Sequence, residues 1–389
     1  MIYLDHNSTT PLDPRVLESM LPWLGGKWGN ASSRDHGFGW DARDAVEEAR
    51  IQIAGFINAK QNEIIFTGGA TESLTLALHG LFPRRTSNTR TLPWGILTSR
   101  VEHDAVLAAC AALEASDIPV GHLPVDGFGR IGLGELDSTL SAVPARVVCL
   151  MAANNETGTL FPIRECAALA HEQNALFLTD ATQALGKIPL DAERDGFDLA
   201  AFSAHKICGP MGVGALYIRG GPETIALEPL IPGGGQERGL RGGTLNVPAI
   251  VGFGEACRLA ALETAGETRR LRELRDRLER ELSIRITGLR VNGDPVNRLA
   301  NTSNLCFPGI DARSLIRDMN EIAASTRSAC SSGTIGPSHV LKAMGLSDED
   351  AYASVRFSLG HSTTSDEIDR TIEIAAASCL RIRAQAPSS

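Results

Sequence analysis

The sequence predicts an α/β protein in two parts: a large domain on a mostly parallel sheet (residues 15–260) and a smaller α+β domain made of residues 1–14 and 261–389. Three observations carry this expectation. Short apolar runs alternate with helical segments up to about residue 260, the pattern of repeated β-α units. Several of those runs empty into polar clusters, as strand ends do at the ligand crevice of an open α/β sheet. Beyond residue 260, Thr268–Leu282 carries leucines at helical spacing among dense mixed charge, and short strands such as Asn304–Phe307 follow.

Along the chain, Glu63–Phe66 reads as a strand that runs into Thr67-Gly68-Gly69-Ala70-Thr71-Glu72-Ser73 and then a helix through Leu81. Small residues at a strand-to-helix turn let backbone N–H groups approach an anion, and the helix dipole adds attraction, so Ala70 and Thr71 belong to a phosphate cradle. The glycine spacing is that of neither a Walker loop nor a dinucleotide fingerprint. His103 follows the apolar run Ile96–Leu97 and opens a helix, where its ring could stack on a planar cofactor or pass protons. Val147–Met151 reads as a buried strand ending near Asn154-Asn155-Glu156, and Ala175–Leu178 as one ending near Asp180 and Gln183. Asn155, Asp180 and Gln183 are therefore expected in one crevice.

The next run ends in Ser203-Ala204-His205-Lys206. A lysine desolvated at a strand end loses part of its proton affinity and can form a Schiff base with an aldehyde, the chemistry that pyridoxal phosphate (PLP) requires. In that setting an aspartate such as Asp180 keeps the pyridine nitrogen protonated, and Ser203 and His205 could hold a phosphate. Ile231–Thr244 is too rich in glycine for a helix interior or a central strand.

Composition sets bounds. The chain has 389 residues, 43% of them hydrophobic, with a net charge of −9, which argues against non-specific binding to nucleic acid. No apolar run is long enough for a membrane span, and Met1–Asp5 has neither the basic region nor the apolar core of a secretory signal. A cytoplasmic location is expected, with the eight cysteines reduced. They include no Cys-x-x-Cys pair, so no metal site is expected.

The ordered set of motifs, from Ile2-Tyr3-Leu4-Asp5-His6-Asn7 to Val355-Arg356-Phe357-Ser358, resembles the cysteine desulfurases of the NifS/IscS type, within the class V aminotransferase-like branch of fold type I PLP enzymes. The resemblance implies Lys206 as the covalent anchor of PLP, Asp180 at its ring nitrogen, Gln183 near its ring oxygen and His103 stacked on the ring. It assigns the phosphate to Thr71, Ser203 and His205, completed in a homodimer by Thr244 from the partner subunit. It gives the substrate carboxylate to Asn155 and Arg356, with Asn7 beside them. It also singles out Cys330, in Ser325-Thr326-Arg327-Ser328-Ala329-Cys330-Ser331-Ser332-Gly333, as the nucleophile that takes sulfur from PLP-bound L-cysteine and leaves L-alanine.

The residues themselves give Cys330 a run of small polar neighbours, hence an exposed loop, with Arg327 near enough to stabilise a thiolate. The other seven cysteines mostly sit among apolar residues. Arg327 departs from the glycine common in the family. The implied function is an L-cysteine desulfurase with a sulfur-acceptor or scaffold protein as partner, serving iron-sulfur cluster assembly, RNA thiolation or DNA phosphorothioation. Alternatives are another class V enzyme, such as a selenocysteine lyase or an aminotransferase, and a scaffold that has lost catalysis.

Overall fold

The structure is a computed structural model that describes residues 1–82, 95–326 and 336–385. Its strands are β1 (Ile2–Tyr3), β2 (Ile64–Thr67), β3 (Gly95–Ser99), β4 (Val120–Leu123), β5 (Ala145–Cys149) and β6 (Leu176–Asp180). There follow β7 (Leu199–Ser203), β8 (Gly214–Ile218), β9 (Arg290–Asn292), β10 (Thr302–Cys306), β11 (Ile322–Ala323) and β12 (Ser354–Ser358). Seven of them form the large sheet in the order β2-β8-β7-β6-β5-β3-β4. Only β8 runs against the others. The carboxyl ends of β2, β3, β5, β6 and β7 therefore share one edge of the sheet, where the sequence puts its polar clusters.

Alternation along these strands feeds two cores. Ile64, Phe66 and Val148 point into one cluster, while Ile65, Val147 and Cys149 point into the other. Helices cover both faces, which is why the central strands read as continuous apolar runs. A third core lies around the antiparallel sheet β12-β10-β9, where Leu305, Val355 and Phe357 meet Leu274, Leu278 and Leu282. The amino-terminal segment joins that core through Ile2 and Leu4, and β1 pairs with β11.

One helix, Val247–Arg285, runs 39 residues and serves two of the cores. Ile250, Phe253 and Cys257 belong to the first cluster, and Leu274, Leu278 and Leu282 to the third. The expected boundary near residue 260 falls inside this helix. No proline follows Pro248 until well past its end, so local chemistry offers no stop there.

Candidate active site

A cleft at the carboxyl edge of the large sheet gathers most of the expected site residues. It is lined by Ala70 and Thr71 at the start of the helix after β2, by Asp180, Gln183, Ser203 and Lys206 at and after the ends of β6 and β7, and by Asn7, Asn155 and Arg356. His103 and His205 also line it. Thr244 is exposed and does not line the cleft of its own chain. Cys330 and Arg327 lie outside the described residues.

The cradle forms for identifiable reasons. Gly69, at φ 151°, caps the helix Ala70–Leu81 in a conformation that side chains rarely adopt. Gly214 on β8 lets that turn approach closely, since a Cβ there would stand 2.6 Å from the Gly69 Cα. The first turn of an α-helix leaves N–H groups without acceptors in the helix, and here the residues of that turn, Ala70, Thr71 and Glu72, line the cleft together with Ser203.

His103 is the N-cap of the helix Asp104–Glu114, and its Nδ1 accepts the Ala105 N–H at 3.1 Å. That bond commits Nδ1 as an acceptor and assigns the neutral ring's proton to Nε2. His205 shares a hydrogen bond between Nδ1 and the Thr9 hydroxyl at 3.0 Å, and burial, with Lys206 and Lys187 nearby, pulls its pKa down to about 4. It is neutral at physiological pH. Asp180 is buried at the end of β6, where one carboxylate oxygen accepts the Thr182 N–H at 3.0 Å.

Lys206 ends the single turn Ala204–Lys206 that follows β7. Its Nζ donates to the carbonyls of Asn7 and Ser8, each at 2.6 Å. The segment supplying those carbonyls is strapped down by Thr10, whose N–H and hydroxyl both donate to the His205 carbonyl and whose hydroxyl accepts the Cys208 N–H. Gln183 donates from Nε2 to the Asn7 carbonyl at 2.9 Å.

Arg356 is 2% exposed and donates from Nη1 to the Asn155 carbonyl at 2.8 Å. Its Nη2 meets Asp5 at 2.7 Å and the Ser8 hydroxyl at 2.8 Å, while its Nε is buried without a partner. A buried guanidinium that lines the cleft, held in place by these partners, offers positive charge to an incoming carboxylate.

These features fit PLP. A helix start, two hydroxyls and a neutral histidine match a phosphate; a buried carboxylate matches a ring nitrogen; and a lysine lines the same cleft. Sequence reasoning missed three contributors. Asp5 and Ser8 hold Arg356 but lie in a segment read only for Asn7. Lys187 lies behind Gln183, and its pKa falls to about 7 through burial first, then the charges of Lys206 and Arg356. A Gly-Lys pair in a turn carries no local signal of that position.

The glycine-rich segment is anchored. Glu237 is buried, receives two hydrogen bonds from Arg50 at 2.8 Å and accepts the Phe66 N–H at 2.7 Å. These bonds hold Glu237 and Arg238 at φ 45° and 55°, the left-handed region.

The family model for class-V aminotransferases matches residues 2–371. The chain is 42% identical over 386 residues to a cysteine desulfurase IscS of Rickettsia peacockii (strain Rustic), covering 99% of this chain and 93% of the relative. It is 43% identical over 374 residues to a mitochondrial cysteine desulfurase of Arthroderma benhamiae, covering 96% of this chain and 73% of the relative. Among solved structures, a NifS-like protein aligns with a TM-score of 0.87 at 35% identity, over 97% of this chain and 98% of its own. SspA in complex with cysteine aligns with a TM-score of 0.79 at 34% identity, over 92% and 99%.

Proposed function

The chain belongs to the class-V aminotransferase family, and from that premise we infer that it is a PLP-dependent cysteine desulfurase, which releases L-alanine from L-cysteine and retains the sulfur. The observation that carries the reading is the convergence of Lys206, Asp180 and Arg356 on one cleft.

PLP supplies an electron sink for the pair left at the substrate α-carbon. In our reading Lys206 anchors it, Asp180 faces its ring nitrogen, Gln183 its ring oxygen and His103 its ring face. Ala70, Thr71, Ser203 and His205 hold its phosphate. Arg356 and Asn155, with Asn7 beside them, fix the carboxylate of L-cysteine and so present its sulfur. His103, with Nδ1 tied to Ala105, moves protons through Nε2. The Cys330 thiolate attacks the substrate sulfur: the carbon–sulfur bond breaks with its electron pair going to carbon, which takes a proton to give alanine. The new sulfur–sulfur bond leaves a persulfide on Cys330.

We further propose a homodimer in which Thr244 completes the partner's phosphate site, an idea supported by its exposure on an anchored loop. A large part at 15–260 and a small part at 1–14 and 261–389 would then face each other across the cleft, and the separate core around β10 supports the division. A cytoplasmic setting would keep the cysteines reduced, and a sulfur-acceptor or scaffold protein would serve iron-sulfur cluster assembly, RNA thiolation or DNA phosphorothioation. Among the described residues no helix is long and apolar enough to cross a membrane.

The test is Cys330→Ser with isotopically labelled L-cysteine. The variant keeps the cofactor's absorption and its response to substrate, but forms no labelled persulfide and releases little alanine. Persulfide mapped to another cysteine, or alanine formed at the wild-type rate, overturns the role of Cys330. Dependence of alanine release on a keto acid would favour an aminotransferase.

A further inference from the structure

Lys187 reaches the active site from behind. It follows Gln183 by one turn, and its Nζ donates to Gln183 Oε1 at 2.6 Å and to Asn7 Oδ1 at 3.3 Å. It also lines a second cavity, which shares Lys206 with the cleft, together with His6, Cys208 and Glu263. The proposed chemistry uses neither this lysine nor that cavity.

The contacts of Gln183 decide which way its amide points. Below its pKa of about 7 Lys187 is an ammonium that offers only donors, so the atom 2.6 Å from it is the amide oxygen. A backbone carbonyl offers only acceptors, so the atom 2.9 Å from Asn7 O is the amide nitrogen. Two independent partners thus fix one orientation, with the oxygen held at the back. The second N–H of Nε2 remains the donor that this buried, cleft-lining side chain can give forward.

Without Lys187 the oxygen would lose its charged donor, and rotation of the amide would cost only the bond to Asn7. Lys187 also braces Asn7, whose Oδ1 it shares with the Asn301 amide and whose carbonyl receives both Gln183 and Lys206. One lysine Nζ therefore touches both Gln183 and Asn7, the residues that flank the Lys206 amine.

We propose that Lys187 is a positioning residue that locks the Gln183 amide with an N–H toward the cofactor's ring oxygen, and thereby lowers the proton affinity of the bound cofactor. This rests on the reading that Gln183 meets that oxygen. An N–H donated to an anionic oxygen stabilises its deprotonated form, whereas a carbonyl turned toward it does the reverse. The charged and titratable groups around Lys187 are Lys206, Arg356, Cys208, His205, His6, Asp13, Glu263, Glu267 and His361, and all remain in place in the variants below.

The experiment is a pH titration of the visible absorption of the cofactor-loaded protein in a double-mutant cycle: wild type, Lys187→Met, Gln183→Leu and the double variant. The expected result is an apparent pKa raised by about one unit in Lys187→Met, a roughly tenfold gain in proton affinity. Gln183→Leu raises it as well, and Lys187→Met adds nothing further in the Gln183→Leu background. If Gln183→Leu leaves the titration unchanged, the placement of Gln183 at the ring oxygen fails. If Gln183→Leu shifts it while Lys187→Met does not, or if the two shifts add in full, Lys187 acts through space or not at all, and the positioning role is overturned. Should Lys187→Met not fold, Lys187→Leu, which likewise offers no donor, replaces it in the same cycle with the same criteria.

Discussion

Arg356 donates from Nη2 to the Asp5 carboxylate at 2.7 Å, although 351 residues separate them. The pair, with the bonds to Ser8 and Asn155, fixes the plane of a guanidinium that lines the cleft.

From this geometry Arg356→Lys is expected to raise the KM for L-cysteine about tenfold or more while the cofactor's absorption stays unchanged. A lysine ammonium serves one partner as a point charge but loses the fork that reaches Asp5, Ser8 and Asn155 together. Steady-state kinetics on the purified variant check this. An unchanged KM would remove Arg356 from substrate binding.

Glu102 gives a pH signature. It is fully buried, accepts from the Ser99 hydroxyl at 2.7 Å and the Met151 N–H at 3.1 Å, and burial pushes its pKa up to about 8 from 4.5. Between those values the folded protein holds a proton that the unfolded chain has released. Its contribution is therefore fully present below pH 4.5 and is lost as pH rises toward 8. Relative to Glu102→Gln, which stays neutral, the wild type should lose up to about 1.4 kcal/mol per pH unit across that window. His6, lowered to about 4, slopes the other way, but equally in both proteins. Denaturant unfolding at a series of pH values measures the difference, and parallel curves would refute it.

The Arg50–Glu237 pair should matter for stability as well as for loop placement. Glu237→Gln leaves the buried Arg50 with Glu47, 3.2 Å away and partly exposed, as its remaining counter-charge, so the loss approaches but stays below the about 3–5 kcal/mol of a fully orphaned buried charge. Urea midpoints at fixed pH test the value, and a change under about 1 kcal/mol would show that the pair is dispensable.

A mixed-dimer experiment tests Thr244. Lys206→Ala and Thr244→Ala homodimers should both be inactive, and Lys206→Ala should also lack the borohydride-reducible cofactor adduct. If Thr244 serves the partner, re-formed heterodimers contain one site with both defects and one with neither, and activity returns toward half per site. No recovery, with both parents inactive, would count against placement in the partner.

Much of this site was legible in the sequence because its parts are local. Strand ends followed by turns place Thr71, Asp180, Ser203 and Lys206 through patterns a few residues long, and β2, β6 and β7 end where the apolar runs do. Pairings across the chain were not legible. Nothing near Asp5 announces Arg356, and nothing near Lys187 announces Asn7, because those partners meet only after the amino-terminal strap folds over the Lys206 turn. The reversed direction of β8 was equally hidden, since direction leaves no trace in apolar alternation. The helix through residue 260 carries a change of surroundings without a change of local structure, and sequence patterns register only the second.

That helix, roughly 60 Å long at 1.5 Å per residue, makes the molecule hard to take apart. A protease looking for an unstructured joint between the two ends of Val247–Arg285 meets continuous hydrogen-bonded backbone instead. A gene cut at residue 260 would hand each fragment half of a helix whose apolar stripe belongs partly to the other. The two sheets are accordingly expected to melt together, as one event rather than in sequence.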